Sequence, residues 1–515
     1  MHQRKEIVFE PLRTFSNGIV DITDCATPRR FRWIDVASLI DGQLRIVESD
    51  QPTIGDIPYA AISYIWRGKP HVCSPDCLGT FHVFGAMDDD TDPISIDLLR
   101  TAAFAARDLG AEYLWLDRLC VMQANRDDKR WQIMNMGDVY SSCKTCLVFP
   151  GGLQRLVGVE EETDWIHRAW TLQEAVAPAK AECIFRWERV IVVATGYAGV
   201  LSIETGRSGK LPLNDMLKVA ASQYMSHQYE GDTDFQKVPV KIFGSRVAAR
   251  QSVSVLMYLI HFRNDEEKLE NNIWRSALLR TSKHEVDMVF SIMGLFGIKL
   301  DPRRYRTRLD ATIGLTQAIL ARGGRTNWIL SSLSNTLPIP EFPNACTIGR
   351  PGHVTADGRI VEVYDALGLD SDTILAGAPG GVLEDNGTLT MVLPIARVQV
   401  TTPSDYDPNA KGKGLQPWGS VQVLDDKGDK VSESEATMCG VPGTHAAIVG
   451  GYHCMQVLAT FASPTDTVLV FVECCNRDPE LWHRTGVATV RRAALGDGFC
   501  EARVKFAYAC CASLQ

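Results

Sequence analysis

The sequence predicts an α/β protein whose N-terminal part is built on a parallel sheet flanked by helices. Two observations predict it. Short apolar runs, YAAISYIW (59–66), YLWL (113–116) and CLVF (146–149), are bounded by turn residues. Between them lie stretches with apolar residues at helical spacing, and such strand–helix–strand alternation requires crossover helices and hence parallel strands. A third observation sets the organisation. At 515 residues the chain is too long for one core, and its texture changes near residue 200 and again near 340.

The elements follow in order. IDLLRTAAFAARDLG (96–110) places Leu98, Leu99, Ala102, Ala103, Ala106 and Leu109 at helical spacing, and Gly110 stands where a C-cap glycine belongs. YLWL follows as a strand. DDKRWQIMNMGDVYSSC (127–143) carries Trp131, Met134, Val139 and Tyr140 on a partly apolar face and reads as a second helix. CLVFPGG is a strand ended by Pro150 and a glycine pair. Residues 1–200 therefore form the α/β domain. Residues 201–338 read as mainly helical, with VAARQSVSVLMYLIHF and LDATIGLTQAILARGG as the clearest patterns. Residues 339–515 read as β-rich, from RIVEVYDAL, TLTMVLPIARVQV, TVLVFVECC and TGVATVRR.

Bulk properties exclude several classes. Hydrophobic content of 45% and charged content of 22% are ordinary for a globular protein. A net charge of −9 argues against a broad nucleic-acid footprint. No apolar stretch is long enough to cross a bilayer. The start, MHQRKEIVFEPLRTF, has no continuous apolar segment, so no secretory signal and a cytoplasmic location are expected. The 15 cysteines then read as reduced thiols. His71, Cys73, Cys77, Cys143 and Cys146 have spacing a zinc ion could use. However, MNMGDVYSSCKTCLVFPGG reads as a helix running into a buried strand, a junction that small apolar cysteines suit. No metal site and no cofactor are assigned.

Three polar-aromatic clusters carry the candidate chemistry. YLWLDRLCVMQ ends an apolar strand in Asp117, Arg118, Cys120 and Gln123. In parallel sheets, functional groups gather beyond the carboxyl ends of strands. WIHRAWTLQEA (165–175) puts Trp170 and Glu174 on one helical face and makes neighbours of Arg168 and Thr171. Tyr64 and Trp66 in SYIWRG share one side of a strand. Each cluster also has a purely structural reading: a finished strand, a packed helix with exposed charges, two rings plugging a core. Gly-x-Gly-x-x-Gly, the P-loop pattern, His-Glu-x-x-His and Gly-x-Ser-x-Gly are all missing, which disfavours a Rossmann dehydrogenase, a P-loop switch, a zinc protease and a serine hydrolase.

Taken in sequence, YAAISYIW, YLWLDRLCVMQ, DDKRWQIMNMGDVYSSCKTCLVFPGG and RAWTLQEA resemble the fungal heterokaryon-incompatibility (HET) domain. That family shows Tyr-x-x-Leu-Ser-Tyr-x-Trp-Gly, Trp-Ile-Asp-x-Leu-Cys-Ile-x-Gln and Arg-x-Trp-Thr-Leu-Gln-Glu. The resemblance spans Tyr59 to Ala175 and continues more weakly in LLRTSKHEVDMVFSIMGLFGI and LWHRTGVATV. Ile62 replaces the usual Leu, Arg67 intervenes before Gly68, and Val121 and Met122 stand where Ile and Asn are common. Lys129 stands near a usually acidic position.

The resemblance implies a fold similar to Toll/interleukin-receptor (TIR) domains, which is TIR/flavodoxin-like. It implies a role in fungal non-self recognition (allorecognition) and programmed cell death. Some TIR-like domains hydrolyse NAD, so the expectation is an NAD glycohydrolase with NAD as substrate. Glu174 is then the catalytic carboxylate and Asp117 the second. Tyr64, Trp66 and Trp170 are stacking candidates, Arg168 the diphosphate partner, and Gln123 and Cys120 further ligand contacts. The rival expectation is a non-catalytic signalling module in which the same groups form a buried polar network. It would act through self-association or a partner signalling protein.

Overall fold

The computed structural model describes residues 4–49, 54, 57–70, 77–86, 91–188, 191–231, 233–331, 353–356, 359–362, 373–406, 416–440, 443–454, 466–474, 481–491 and 498–506. Contacts divide the chain into two compact units. One holds Met1–Ile260 and Phe290–Tyr305, the other His261–Val289 and Arg306–Gln515.

The first unit is built on a nine-stranded mixed sheet: β1 (Lys5–Pro11), β2 (Arg32–Asp35), β3 (Gln43–Glu48), β4 (Tyr59–Tyr64), β5 (Tyr113–Trp115), β6 (Thr145–Phe149), β7 (Ala181–Arg186), β8 (Leu201–Glu204) and β9 (Ser208–Pro212). In space the order is β1-β3-β2-β5-β4-β6-β7-β9-β8. Its centre is parallel: β4 pairs with β5 and β6, and β6 with β7. Ranked along the chain, these four central strands lie in the order 2-1-3-4. Every residue of β4 and of β6 is buried, which is why YAAISY and TCLVF read as unbroken apolar runs rather than alternating ones.

Antiparallel strands extend this core on both sides. β1, β3 and β2 lie beyond β5, and β9 and β8 beyond β7. The sheet therefore runs as far as Pro212. Among the described residues, 201–338 carry five α-helices but also four strands, two of them β8 and β9 and the others Tyr224–Tyr229 and Gln236–Pro239.

Three helices of the first unit start on a side-chain cap. α1 (Val36–Ile40) starts on Asp35, whose carboxylate accepts from the Ser38 N–H. α2 (Ile96–Asp108) starts on Ser95, whose hydroxyl accepts from the Leu98 N–H, and buries a face of Leu98, Leu99, Ala102, Ala103, Ala105 and Ala106. Gly110 follows in the left-handed region at φ 75°, the conformation a helix-ending glycine takes at least cost. α3 (Asp117–Cys120) is one turn. α4 (Arg126–Ser142) starts on Asn125, whose side chain accepts from the Asp127 and Asp128 N–H groups. α5 (Thr171–Val176) follows β6. The odd-numbered side of β4 faces α4: the Tyr59 hydroxyl donates to the Val139 carbonyl. From α4, the Tyr140 hydroxyl donates to the Ile62 carbonyl at 3.1 Å, and its ring meets Trp115 edge-on, centroids 5.6 Å apart.

The second unit is β-rich from residue 353 onward. Its main sheet has nine strands, paired antiparallel but for one short parallel contact between Leu481–Arg491 and Cys500–Phe506. Alternation along Leu389–Thr401 builds its two apolar clusters. Leu389, Met391 and Leu393 pack with Val504 and Phe506, and Ala396 and Val398 with Val421, Val423 and Phe471. Among the described residues no helix is long and apolar enough to cross a membrane.

Candidate functional site

The parallel register of β4 and β5 builds the first part of the site. Ala61 lies opposite Trp115, so two residues on, Ser63 and Tyr64 come level with Asp117. Asp117 opens α3, and its Oδ1 accepts from the Arg118 N–H at 2.6 Å. The same oxygen accepts from the Tyr64 hydroxyl at 2.5 Å, while Oδ2 accepts from the Trp66 indole N–H at 2.8 Å. Gln123 donates its side-chain N–H to the Asp117 carbonyl at 2.9 Å. The structure therefore brings Tyr64, Trp66, Asp117 and Gln123 together. The two rings meet Asp117 through their polar ends. Trp66 is half-buried, and Lys129 Nζ lies 6.0 Å from the centre of its ring.

Arg118 joins this cluster. It is buried, with Nε donating to the Tyr64 hydroxyl at 2.9 Å and Nη1 to the Asp92 carbonyl. Asp92 in turn holds the loop after β4. Its carboxylate accepts from the Gly68 N–H at 2.5 Å and its own N–H donates to the Trp66 carbonyl at 3.0 Å. Burial raises the Tyr64 phenol far above its ordinary value; Arg118 opposes and Asp117 reinforces the shift. Tyr64 is thus a standing donor to Asp117. Asp92 was not among the sequence candidates; nothing in DDDTDPIS marks one acid over its neighbours.

Glu174 occupies a second cluster on the other face of β4. Side chains alternate along a strand, so Ser63 points away from Tyr64. The Ser63 hydroxyl donates to Glu174 Oε2 at 2.5 Å and accepts from the Trp165 indole N–H at 2.9 Å. Glu174 is 8% exposed and Trp165 fully buried against Phe243. Arg168 and Trp170 are half-buried in the turn before α5, which the Thr171 hydroxyl ties by donating to the Trp165 and Arg168 carbonyls. The two acid clusters share an electrostatic neighbour in Tyr140. Burial chiefly holds its phenol proton, and the charges of Glu174 and Asp117 add to the effect.

A third network supports the Asp117 turn from behind, and sequence reasoning missed it. Arg32, on β2, is fully buried between Glu48 (3.2 Å) and Asp128 (3.0 Å). Its Nη1 also donates to the Cys120 carbonyl at 2.9 Å, while Asp128 Oδ2 accepts from the Met122 N–H at 2.9 Å. These two bonds grip the chain just after α3. The available signal was FRWID, an arginine inside a strand-like apolar run, which needs a buried acid to be tolerable.

Cys120 itself is fully buried, and burial pushes its thiol up to about 12. It is a neutral thiol packed in the wall, and it is unsuited to act as a nucleophile. Burial likewise raises Cys143, to about 12, and lifts Cys146 well above its ordinary value. Among the described residues no group of three or more His, Cys, Asp and Glu could hold a metal ion. His71 and Cys73 lie outside the described residues.

A strand–turn unit with Tyr64 and Trp66 converging on Asp117, backed by α4 and β6, is the feature to compare with known proteins. Residues 59–161 match the family model "Heterokaryon incompatibility protein (HET)". No match was found among curated proteins, and none among solved structures. The HET span contains β4 to β6, the Asp117 cluster and Asp128, and it ends before RAWTLQEA and Glu174. A HET domain suggests a role in heterokaryon incompatibility and cell death.

Proposed function

We propose that the protein is cytoplasmic and that the domain holding the HET match is a TIR/flavodoxin-like fold that drives regulated cell death after non-self recognition by hydrolysing NAD. The strand order 2-1-3-4 of the parallel core supports the fold reading, since it is the order of flavodoxin-like doubly wound sheets. In such sheets the ligand crevice lies outside the carboxyl ends of the first and third strands, here β4 and β6. The observation that carries the activity is Glu174 seated at the carboxyl end of β4 on Ser63, which lies opposite Val148 of β6.

The chemistry asked of Glu174 is limited. The C1′–N bond to nicotinamide breaks, and its electron pair leaves with the ring nitrogen, giving a neutral base. Positive charge develops at C1′, where a carboxylate stabilises it. Water then adds its oxygen to C1′ and loses a proton to solvent or to the carboxylate. Trp66 and Trp170, both half-buried, are the rings proposed to stack on the substrate. Arg168 is the partner proposed for the diphosphate. Gln123 and Tyr64 serve by holding the Asp117 turn, and Asp117 by holding Trp66.

The test is NAD consumption by the full chain at high concentration, to allow self-association, beside Glu174→Gln and Glu174→Ala. NAD loss in the parent and not in either variant supports the reading. Equal NAD stability in all three, with all folded, removes it. A second reading is favoured by one observation: three protein donors satisfy Asp117. On that reading the polar groups fix the shape of a non-catalytic module, which signals by binding a partner protein or a second copy.

A further inference from the structure

A separate cavity of about 180 Å³ opens at the carboxyl end of β7, lined by Gly158, Glu160, Arg186, Trp187, Glu188 and Tyr229, with Val159 and Val238 completing the wall. We propose that it binds a small organic cation, an alkyl- or quaternary ammonium group, against the rings of Trp187 and Tyr229 and the carboxylates of Glu160 and Glu188.

Size and shape narrow the ligand first. Pockets for drug-sized molecules run to roughly 300–1,000 Å³, so this one admits a group of a few heavy atoms and no dinucleotide. The Trp187 and Tyr229 ring centres are 6.1 Å apart with planes at 39°. A flat ring sandwiched between them would need about 7 Å, two contacts of about 3.5 Å each. A compact tetrahedral group resting in the angle of the two rings needs no such gap.

Charge narrows it further. Aromatic faces are negative and attract cations. Two carboxylates face one guanidinium in the lining. Arg186 is already occupied by Glu160 at 3.2 Å and lies 3.7 Å from Glu161. Glu161 is held ionised, at about 2, chiefly by its hydrogen bonds from Arg155. Among the described residues, Arg186 is thus neutralised by its neighbours, which leaves Glu188 as surplus negative charge. His227, edge-on to Tyr229 with centroids 4.4 Å apart, has its pKa lowered by burial and brings no competing cation. Gly158 leaves space for the acid: a Cβ there would meet Glu160 Oε1 at 2.5 Å. The aromatic wall is also kept at a cost. Among the described residues, the Trp187 indole N–H and His227 Nε2 are both buried without a hydrogen-bond partner, an arrangement usually selected against.

The test is a calorimetric titration of the full chain with choline and, separately, with 3,3-dimethylbutanol, which has the same shape with carbon in place of the charged nitrogen. Saturable choline binding at least about tenfold tighter than the alcohol is expected, in line with a cation–π contribution. Glu188→Gln and Tyr229→Leu should each weaken it severalfold while leaving the circular dichroism spectrum unchanged. Equal binding of choline and the alcohol, absence of choline binding, or choline binding untouched by both substitutions overturns the proposal. A short peptide bearing one trimethyl-lysine, titrated beside its unmethylated twin, identifies the source. Tighter binding of the methylated peptide than of choline points to a protein tail, and the reverse order to a free metabolite.

Discussion

Arg32→Met tests whether the buried ionic network behind Asp117 holds the first unit together. The guanidinium has no exposure and makes five contacts: Glu48 at 3.2 Å, Asp128 at 3.0 and 3.2 Å, the Cys120 carbonyl at 2.9 Å and the Thr27 carbonyl at 2.5 Å. Methionine fills much of the volume but leaves two buried carboxylates without their cation. Each keeps some backbone donors: Asp128 those of Arg29 and Met122, Glu48 that of Thr27. Breaking a buried pair on one side costs about 3–5 kcal/mol. For a domain of this size each kcal/mol shifts Tm by roughly 2–4 °C, so a fall of about 6–20 °C is expected. The assay is thermal and urea unfolding followed by circular dichroism. The triple replacement Arg32→Met, Glu48→Leu and Asp128→Leu removes all the charges together and should recover most of the loss. A cost below about 1 kcal/mol for Arg32→Met would refute the reasoning.

Two further outcomes follow from packing and ionisation. Gly137→Ala should destabilise the first unit by about 1–3 kcal/mol, although alanine favours helix. Its Cβ would sit 2.9 Å from the Gly294 Cα, backbone that cannot rotate away, so a variant more stable than the parent in urea counts against the packing. In the second unit, Glu270 is raised to about 7, first by burial and then by Glu266, with the hydrogen bond from Asn327 opposing. A folded-state value above the unfolded one, near 4.5, means that the folded unit binds the proton more tightly. Stability then falls as pH rises from about 4.5 to about 7 and is flat above. Glu270→Gln should gain about 1–2 kcal/mol at pH 8, discounted for its partial exposure, and lose that pH dependence. No gain at pH 8 relative to pH 4 would contradict the assignment.

The central strands were legible because burial on both faces makes an apolar run that no loop sustains, as in YAAISY and TCLVF. The outer strands were not. KEIVFEP has one buried residue in seven, and the next two strands inward, β3 and β2, are short runs interrupted by an arginine each, Arg45 in QLRIVE and Arg32 in RWID. The short strands around α6 (Leu213–Ser222) are polar enough to pass for connections. At the site, Asp117, Tyr64 and Trp66 were individually visible, but their meeting depends on the parallel register across more than fifty residues. Arg32 and Asp128 are 96 apart in sequence, and only folding makes them a pair. The burial of Cys120 was equally hidden, since a thiol after a strand looks the same whether it faces a cleft or a core.

Asp117 and Glu174 also differ in what a substitution can reveal. Asp117 accepts two donors on Oδ1 and a third on Oδ2. An asparagine there must turn its NH₂ toward one side or the other. On one side it meets the Trp66 N–H, on the other the Tyr64 hydroxyl and the Arg118 N–H, so in either orientation a donor faces a donor. Buried donors left unmatched cost about 1–3 kcal/mol each, whatever Asp117 does chemically. Loss of activity in Asp117→Asn would therefore follow from either reading of the site. Glutamine at Glu174 can keep an oxygen toward the Ser63 hydroxyl while it removes the charge. An effect confined to turnover at Glu174→Gln, with Tm unchanged, is the signature that a structural network does not produce.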